Sequence, residues 1–261
     1  MTAALQADTV RVNGHDSRVW RKGAGEPLGF LPGVGGLPKW TAFLDRMAEQ
    51  RTVIAPSLPG FPGAAGHDEL DTIFDWLLAT RDVLLAAGLE GADLMAVSVS
   101  GALAADAAGV WPGLVRRLVL LAPFGLFDAV DPSADIWAQR PGHLSDLMCV
   151  DREIYKAFIE QPDDADPMEW KVEQMRALAA HARYLFPNGN TGLAKRLGRI
   201  ECPVLLLRGS EDRVMPASYL DRFARGVPGG ATIDEIAGAG HLAELDQPDA
   251  VAERVLAFLD A

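Results

Sequence analysis

The chain has 261 residues, 49% of them hydrophobic and 23% charged, an ordinary balance for a soluble globular protein. That length is long for one simple domain and short for two, which suits one core carrying an insertion; a core this size needs no disulfide or metal staple. A net charge of −12 argues against nucleic acid and anionic membrane surfaces as partners, since neither would meet a basic patch.

The first residues, Met1 to Gln6, have neither the basic nor the apolar region of a secretory signal. No apolar run approaches the ~18 residues of a membrane span. A cytoplasmic protein with no membrane partner is therefore expected. Thr9–Val12 and Ser17–Arg21 read as a hairpin around Asn13-Gly14. Pro27–Leu31 is the next strand, ending in the Gly-rich loop Pro32-Gly33-Val34-Gly35-Gly36, with a helix over about Trp40 to Gln50. Arg51–Ala55 is a strand that runs towards Pro59-Gly60-Phe61-Pro62-Gly63. A long helix starts near Asp71, with Ile73, Trp76, Leu77, Val83, Leu84 and Ala87 at helical spacing and Gly88 as its stop.

Asp93–Val97 is an apolar strand that meets Ser98, and an alanine-rich helix follows at once. Strands are expected at Arg117–Leu121, Val204–Leu207 and Ala231–Ile236, and the chain closes on a helix with Val251, Val255, Phe258 and Leu259 on one face. An antiparallel start followed by strand–helix units implies a mostly parallel sheet covered on both faces. Between Pro123 and Leu197 the strands give way to helices, one of them opened by Asp166 as N-cap, Pro167, and Glu169 completing a capping box. This segment reads as a helical cap (lid) inserted at 123–197 into a core formed by 1–122 and 198–261; a further helical layer of the core is the alternative. The acidic run Asp163 to Asp166 lacks calcium-loop spacing and reads as a solvated loop. Cys149 and Cys202 lack redox or zinc spacing and read as incidental core residues.

Strand, serine and helix, with small residues two positions either side of the serine, form the pattern of a nucleophile elbow. The pattern is degenerate: Ala96 and Ser100 stand where glycines are usual. A serine also needs a histidine to take its proton and an acid to orient that histidine. Of His15, His67, His143, His181 and His241, the last stands apart, in Ala239-Gly240-His241 after a strand and before the final helix. The strand Val204–Leu207 leads to Glu211 and Asp212; Asp212 is the expected acid and Glu211 its rival. The oxyanion would need two backbone N–H donors, expected at Val99 and Val34.

In these features the chain resembles the α/β-hydrolase superfamily, over essentially its whole length apart from the variable cap. The resemblance implies a mostly parallel eight-stranded sheet with helices on both faces, Ser98 as nucleophile, Asp212 as acid, His241 as base, and no cofactor or metal. Pro32 replaces the common histidine of the oxyanion loop, so that loop must be braced differently. Ser100 is the alternative nucleophile, but Gly101-Ala102-Leu103-Ala104 matches the family's helix start only from Ser98.

The expected activity is a serine hydrolase acting on a small ester, lactone or thioester, with an apolar or amphipathic acyl substrate as partner; a homo-oligomer is left open. The first alternative is carbon–carbon hydrolysis of the meta-cleavage product type, which the approach Leu193–Leu197 resembles. The second is a ligand-binding protein without turnover, suggested by Pro32, Ala96 and Ser100. Trp137, Tyr155, Phe158, Trp170, Tyr184 and Phe186 are expected to form mainly the cap's own small core, some lining a pocket.

Overall fold

The computed structural model describes residues 4–140, 142–162, 165–187 and 189–261. Its strands are β1 Gln6–Val12, β2 His15–Lys22, β3 Pro27–Leu31, β4 Thr52–Pro56, β5 Ala92–Val97, β6 Val115–Leu121, β7 Val204–Gly209 and β8 Thr232–Ile236. The helices are α1 Ala42–Ala48, α2 Ile73–Ala86, α3 Ser98–Val110, α4 Leu144–Met148, α5 Arg152–Phe158, α6 Pro167–Leu185, α7 Ser218–Gly226, α8 Ala243–Asp246 and α9 Pro248–Leu259. The eight strands form one sheet in the order β1-β2-β4-β3-β5-β6-β7-β8. The β1–β2 and β2–β4 pairs are antiparallel and all others parallel. The hairpin turn follows from Asn13 and Gly14, which both take positive φ (51° and 84°), the backbone that matches strand twist.

Every residue of β5 and β7 is buried. That burial accounts for their unbroken apolar runs: a central parallel strand has helices against both faces. Register aligns the carboxyl ends, with Leu31 beside Ala96, Val97 beside Leu121, Leu121 beside Leu207 and Gly209 beside Ile236. The loops after β3, β5, β7 and β8 therefore emerge along one edge, where an open α/β sheet collects its ligands.

Helix ends follow local chemistry. Gly88 (φ 78°) closes α2, with Leu89 N–H donating to Leu84 at 2.9 Å. Asp166 caps α6 by accepting from the N–H groups of Met168 and Glu169 at 2.8 and 2.9 Å. The expected capping box at Glu169 does not form: Asp166 accepts from the Met168 and Glu169 N–H groups, but the Glu169 side chain does not return a bond to the Asp166 N–H. A capping box occurs instead at α2, where Asp75 N–H donates to Thr72 Oγ1 and Thr72 N–H to Asp75 Oδ2. Asp163 and Asp164 of the acidic run lie outside the described residues.

Between β6 and β7 the chain is helical, and α6 reaches back to the sheet. Tyr184 donates to the Val99 carbonyl at 3.1 Å and packs on Trp76, with centroids 4.8 Å apart. Tyr184 therefore packs on the core rather than among the segment's own residues, and Phe186, another of its aromatics, is 81% exposed. At the far end of this segment Arg196 forms a bidentate pair with Asp106 of α3, whose carboxylate is fully buried and also accepts from Thr191 at 3.1 Å. Burial raises the Asp106 carboxyl and Arg196 opposes that rise. Removing the cation strands a buried charge. Arg196→Met is expected to lower unfolding free energy by about 3–5 kcal/mol, measured by urea denaturation; an unchanged midpoint would contradict this.

Candidate active site

Ser98 is the first residue of α3 and has φ 53°, a conformation that non-glycine residues rarely adopt. The sharp reversal turns the serine hydroxyl out of the sheet, and the surrounding residues must be small. A Cβ on Gly101 would stand 2.8 Å from Pro123 Cβ, and one on Gly33 would stand 3.2 Å from Ser98 Cβ. Ala96 and Ser100 are fully buried beside the turn.

Ser98 Oγ lies 2.7 Å from His241 Nε2, and His241 Nδ1 lies 3.1 Å from both carboxylate oxygens of Asp212. All three side chains are buried. Asp212 Oδ1 also accepts from the N–H groups of Val214 and Met215 at 2.8 and 2.9 Å. Burial alone would raise the Asp212 carboxyl, but the His241 ring and these N–H groups outweigh it and hold it below the ordinary carboxylate value. Asp212 is thus ionised at neutral pH. It accepts from Nδ1–H, leaving Nε2 as the acceptor for the serine hydroxyl. Glu211, the rival acid, is exposed.

The other histidines lie elsewhere. His15 pairs with Glu69 at 3.0 Å, His143 is exposed, His67 sits in the loop after β4, and His181 is buried in α6.

Backbone contacts fasten the histidine loop to its neighbours. Glu211 N–H donates to the Ala239 carbonyl at 2.9 Å, and a Cβ on Gly209 would collide with the same carbonyl at 2.1 Å. Asp246 Oδ2 accepts from Gly240 N–H at 2.7 Å and from Val150 N–H at 2.9 Å, and Leu242 N–H donates to Met148 at 2.8 Å. Asp246 thereby ties the loop carrying His241 to Val150, a link across 96 positions that leaves no local signal in the sequence.

The Gly-rich loop after β3 lies against the elbow. Val99 is the second residue of α3, where a helix leaves its N–H groups without intrahelical acceptors, and Val34 is buried in the loop after β3. Ser100 Oγ donates to the Pro32 carbonyl at 2.6 Å. This bond answers two questions at once. It commits the Ser100 hydroxyl to a buried carbonyl, and it supplies the brace that a proline at position 32 cannot.

Glu244, three residues past His241, is buried, and its Oε2 has no hydrogen-bond partner among the described residues. Burial pushes its carboxyl up to about 8, its own N–H opposes this and Asp246 adds to it. Cys149, also buried, is raised by burial and by Asp246 and Glu244, so its thiol is inert.

The family model described as an alpha/beta hydrolase family matches residues 12–254. The dihydrolipoyllysine-residue acetyltransferase component of the acetoin cleaving system of Cupriavidus necator is 28% identical over 255 residues, covering 94% of this chain and 67% of that one. The 2-hydroxymuconate semialdehyde hydrolase of a Pseudomonas species is 29% identical over 223 residues, 79% of this chain and 76% of that one. Among solved structures, 2-hydroxy-6-oxo-6-phenylhexa-2,4-dienoate hydrolase from Rhodococcus superposes over the whole of both chains with TM-score 0.80 at 18% identity, which shows the fold.

Two outcomes are expected. Ser100→Ala leaves the buried Pro32 carbonyl without its donor and loosens the loop after β3 that lies against Ser98. It should lower kcat about tenfold with little change in KM; unchanged kcat would remove Ser100 from the account. Glu244 binds its proton more tightly folded than unfolded, so stability present at acid pH is lost as pH rises from about 4.5 to about 8. Thermal melts should show that decline in the native chain and a smaller one in Glu244→Gln; parallel curves would contradict it.

Proposed function

The chain belongs to the alpha/beta hydrolase family, and on that premise we propose that it is a serine hydrolase cleaving a small carboxylic ester, lactone or thioester through an acyl-enzyme on Ser98. The observation that carries this reading is the 2.7 Å approach of Ser98 Oγ to His241 Nε2, with Asp212 bound to the opposite ring nitrogen. His241 takes the hydroxyl proton as Oγ bonds to the substrate carbonyl carbon. The carbonyl oxygen gains the negative charge and accepts from the N–H groups of Val34 and Val99. Collapse of this intermediate breaks the bond to the alkoxide or thiolate, which leaves with the proton held on Nε2. Water then attacks the acyl carbon and gives a proton to His241, and the break of the carbon–Oγ bond returns that proton to Ser98. Asp212 fixes the tautomer and stabilises the imidazolium.

The helices between β6 and β7 act in this reading as a cap that excludes water from a site whose serine and histidine are fully buried. Within them lies a cavity of ≈ 470 Å³ lined by Trp137, Tyr155, Ile159 and Leu178 among others, which supports an apolar or amphipathic acyl group. Tyr155 links the cavity to the oxyanion loop, with its hydroxyl 3.8 Å from where a Cβ of Gly35 would stand. The acetyltransferase relative is named for moving an acyl group, which agrees in chemistry.

A second reading keeps the same three residues and breaks a carbon–carbon bond, and similarity to the semialdehyde hydrolase favours it. A panel of 4-nitrophenyl esters, lactones, thioesters and a coloured dienoate separates the two, with Ser98→Ala as blank. Ester or thioester turnover is expected, and Asp212→Asn should lower its kcat by about 10³–10⁴. Turnover of the dienoate alone would favour the second reading. Saturable binding without turnover of any member would sink both.

A further inference from the structure

Behind the serine and histidine the structure holds a second buried polar group that the proposed chemistry leaves idle. His181, on α6, is fully buried, and neither ring nitrogen makes a well-formed hydrogen bond among the described residues, the Ala177 carbonyl one turn back engaging the ring only weakly. The indole Nε1 of Trp137 is also buried, without a partner among the described residues. The two rings pack at a 47° tilt with centroids 5.7 Å apart, so two polar rings without well-formed hydrogen bonds adjoin. Such groups cost folding free energy, and a buried orphan in a native protein calls for a reason.

Their location supplies one. Tyr184, one turn after His181 on the same helix, bonds the Val99 carbonyl, so this part of α6 rests on the elbow itself. Trp137 packs against Phe124 at 6.2 Å, and Phe124 against His241 at 6.0 Å. On the other side His181 meets Phe61 at 6.0 Å, and a Cβ on Gly36 of the oxyanion loop would touch the Phe61 ring at 3.2 Å. A continuous aromatic wall thus runs from the base to the oxyanion loop with the polar pair midway. Of the pair, Trp137 lines the ≈ 470 Å³ cavity; His181 lies behind it, buried, with Leu178 and Ala182 of the same helix on the cavity wall.

We propose that His181 and Trp137 form a specificity subsite that recognises a neutral oxygen substituent, a carbonyl or hydroxyl, on the acyl chain of the substrate. The indole N–H donates to that oxygen, and the imidazole offers a donor on one nitrogen and an acceptor on the other. The site selects for neutral groups because burial pushes the His181 ring down to about 3, against a weaker opposing effect of the Ala177 carbonyl one turn back. The ring stays uncharged at working pH and gives a carboxylate no counter-ion. Polar groups placed to bond a substrate oxygen discriminate strongly against the analogue lacking it. The inference rests on the acyl-transfer reading for the orientation of the substrate, and it names the substrate class within it: oxo- or hydroxyacyl compounds rather than plain alkanoyl ones.

The test pairs plain 4-nitrophenyl alkanoates with their oxo, hydroxy and carboxylate analogues for turnover. Matching N-methylalkanamides are used for binding by calorimetry. At least one oxo or hydroxy member should exceed its plain partner by about tenfold in kcat/KM and in affinity. His181→Leu and Trp137→Phe should each bring that ratio close to one. His181→Leu should also melt no lower than the native chain, since it removes a buried polar group without a well-formed hydrogen bond; a clear fall in its melting temperature would assign the ring a structural role and overturn the proposal. Failure of His181→Leu to fold counts as the same outcome, while Trp137→Phe tests the indole donor independently. Equal use of plain and oxygenated members, a preference that survives in the variants, or preference for the carboxylate would also overturn it. Absent turnover with the binding preference intact would sink the acyl-transfer reading and uphold this subsite.

Discussion

One backbone constraint organises this molecule: a serine held at φ 53° between the end of β5 and the start of α3. The conformation costs on the order of 1–3 kcal/mol, and it persists because its surroundings leave no alternative. Every residue of β5 is buried in the sheet, Gly101 lies against Pro123, and Gly33 approaches from the loop after β3. The Ser100 hydroxyl completes the enclosure by holding Pro32. Strain at one residue is thus supported by its own strand and helix start and by two further stretches, at Pro32-Gly33 and at Pro123.

The same enclosure shapes the electrostatics. Ser98, His241 and the Asp212 carboxylate are out of water, so each polar interaction among them is stronger than it would be at the surface. Asp212 remains ionised there because His241 and two backbone N–H groups face it. Glu244, buried a few residues further on without such partners, is pushed the opposite way. The two acids differ in their neighbours far more than in their depth. His181 repeats the lesson: burial, only weakly opposed by the Ala177 carbonyl, holds its ring neutral.

Much of this was legible in the sequence because its signals are local. Apolar runs ending in glycine or serine mark β5 and β7, Asn13-Gly14 marks a hairpin, and Asp166-Pro167 marks the start of α6. The order Ser98, Asp212, His241 is a property of the chain itself, and the structure brings those three together. What stayed hidden depends on distant contacts. Ser100 meets Pro32 across 68 positions and Asp246 meets Val150 across 96, and neither leaves a pattern within any window. The capping box assigned to Glu169 failed because its side chain returns no bond to the Asp166 N–H, which the motif alone leaves open. Tyr184 and Phe186, two residues apart near the end of α6, have opposite fates, one against the elbow and one in solvent, which depend on where the helix docks.

In the proposed chemistry the strained serine, and not its neighbour two residues on, is the nucleophile. Labelling the intact protein with a serine-directed fluorophosphonate, followed by peptide mapping, separates the two serines. One adduct per chain is expected, on Ser98, blocked in Ser98→Ala and retained in Ser100→Ala. An adduct on Ser100, or no adduct at all, would contradict it.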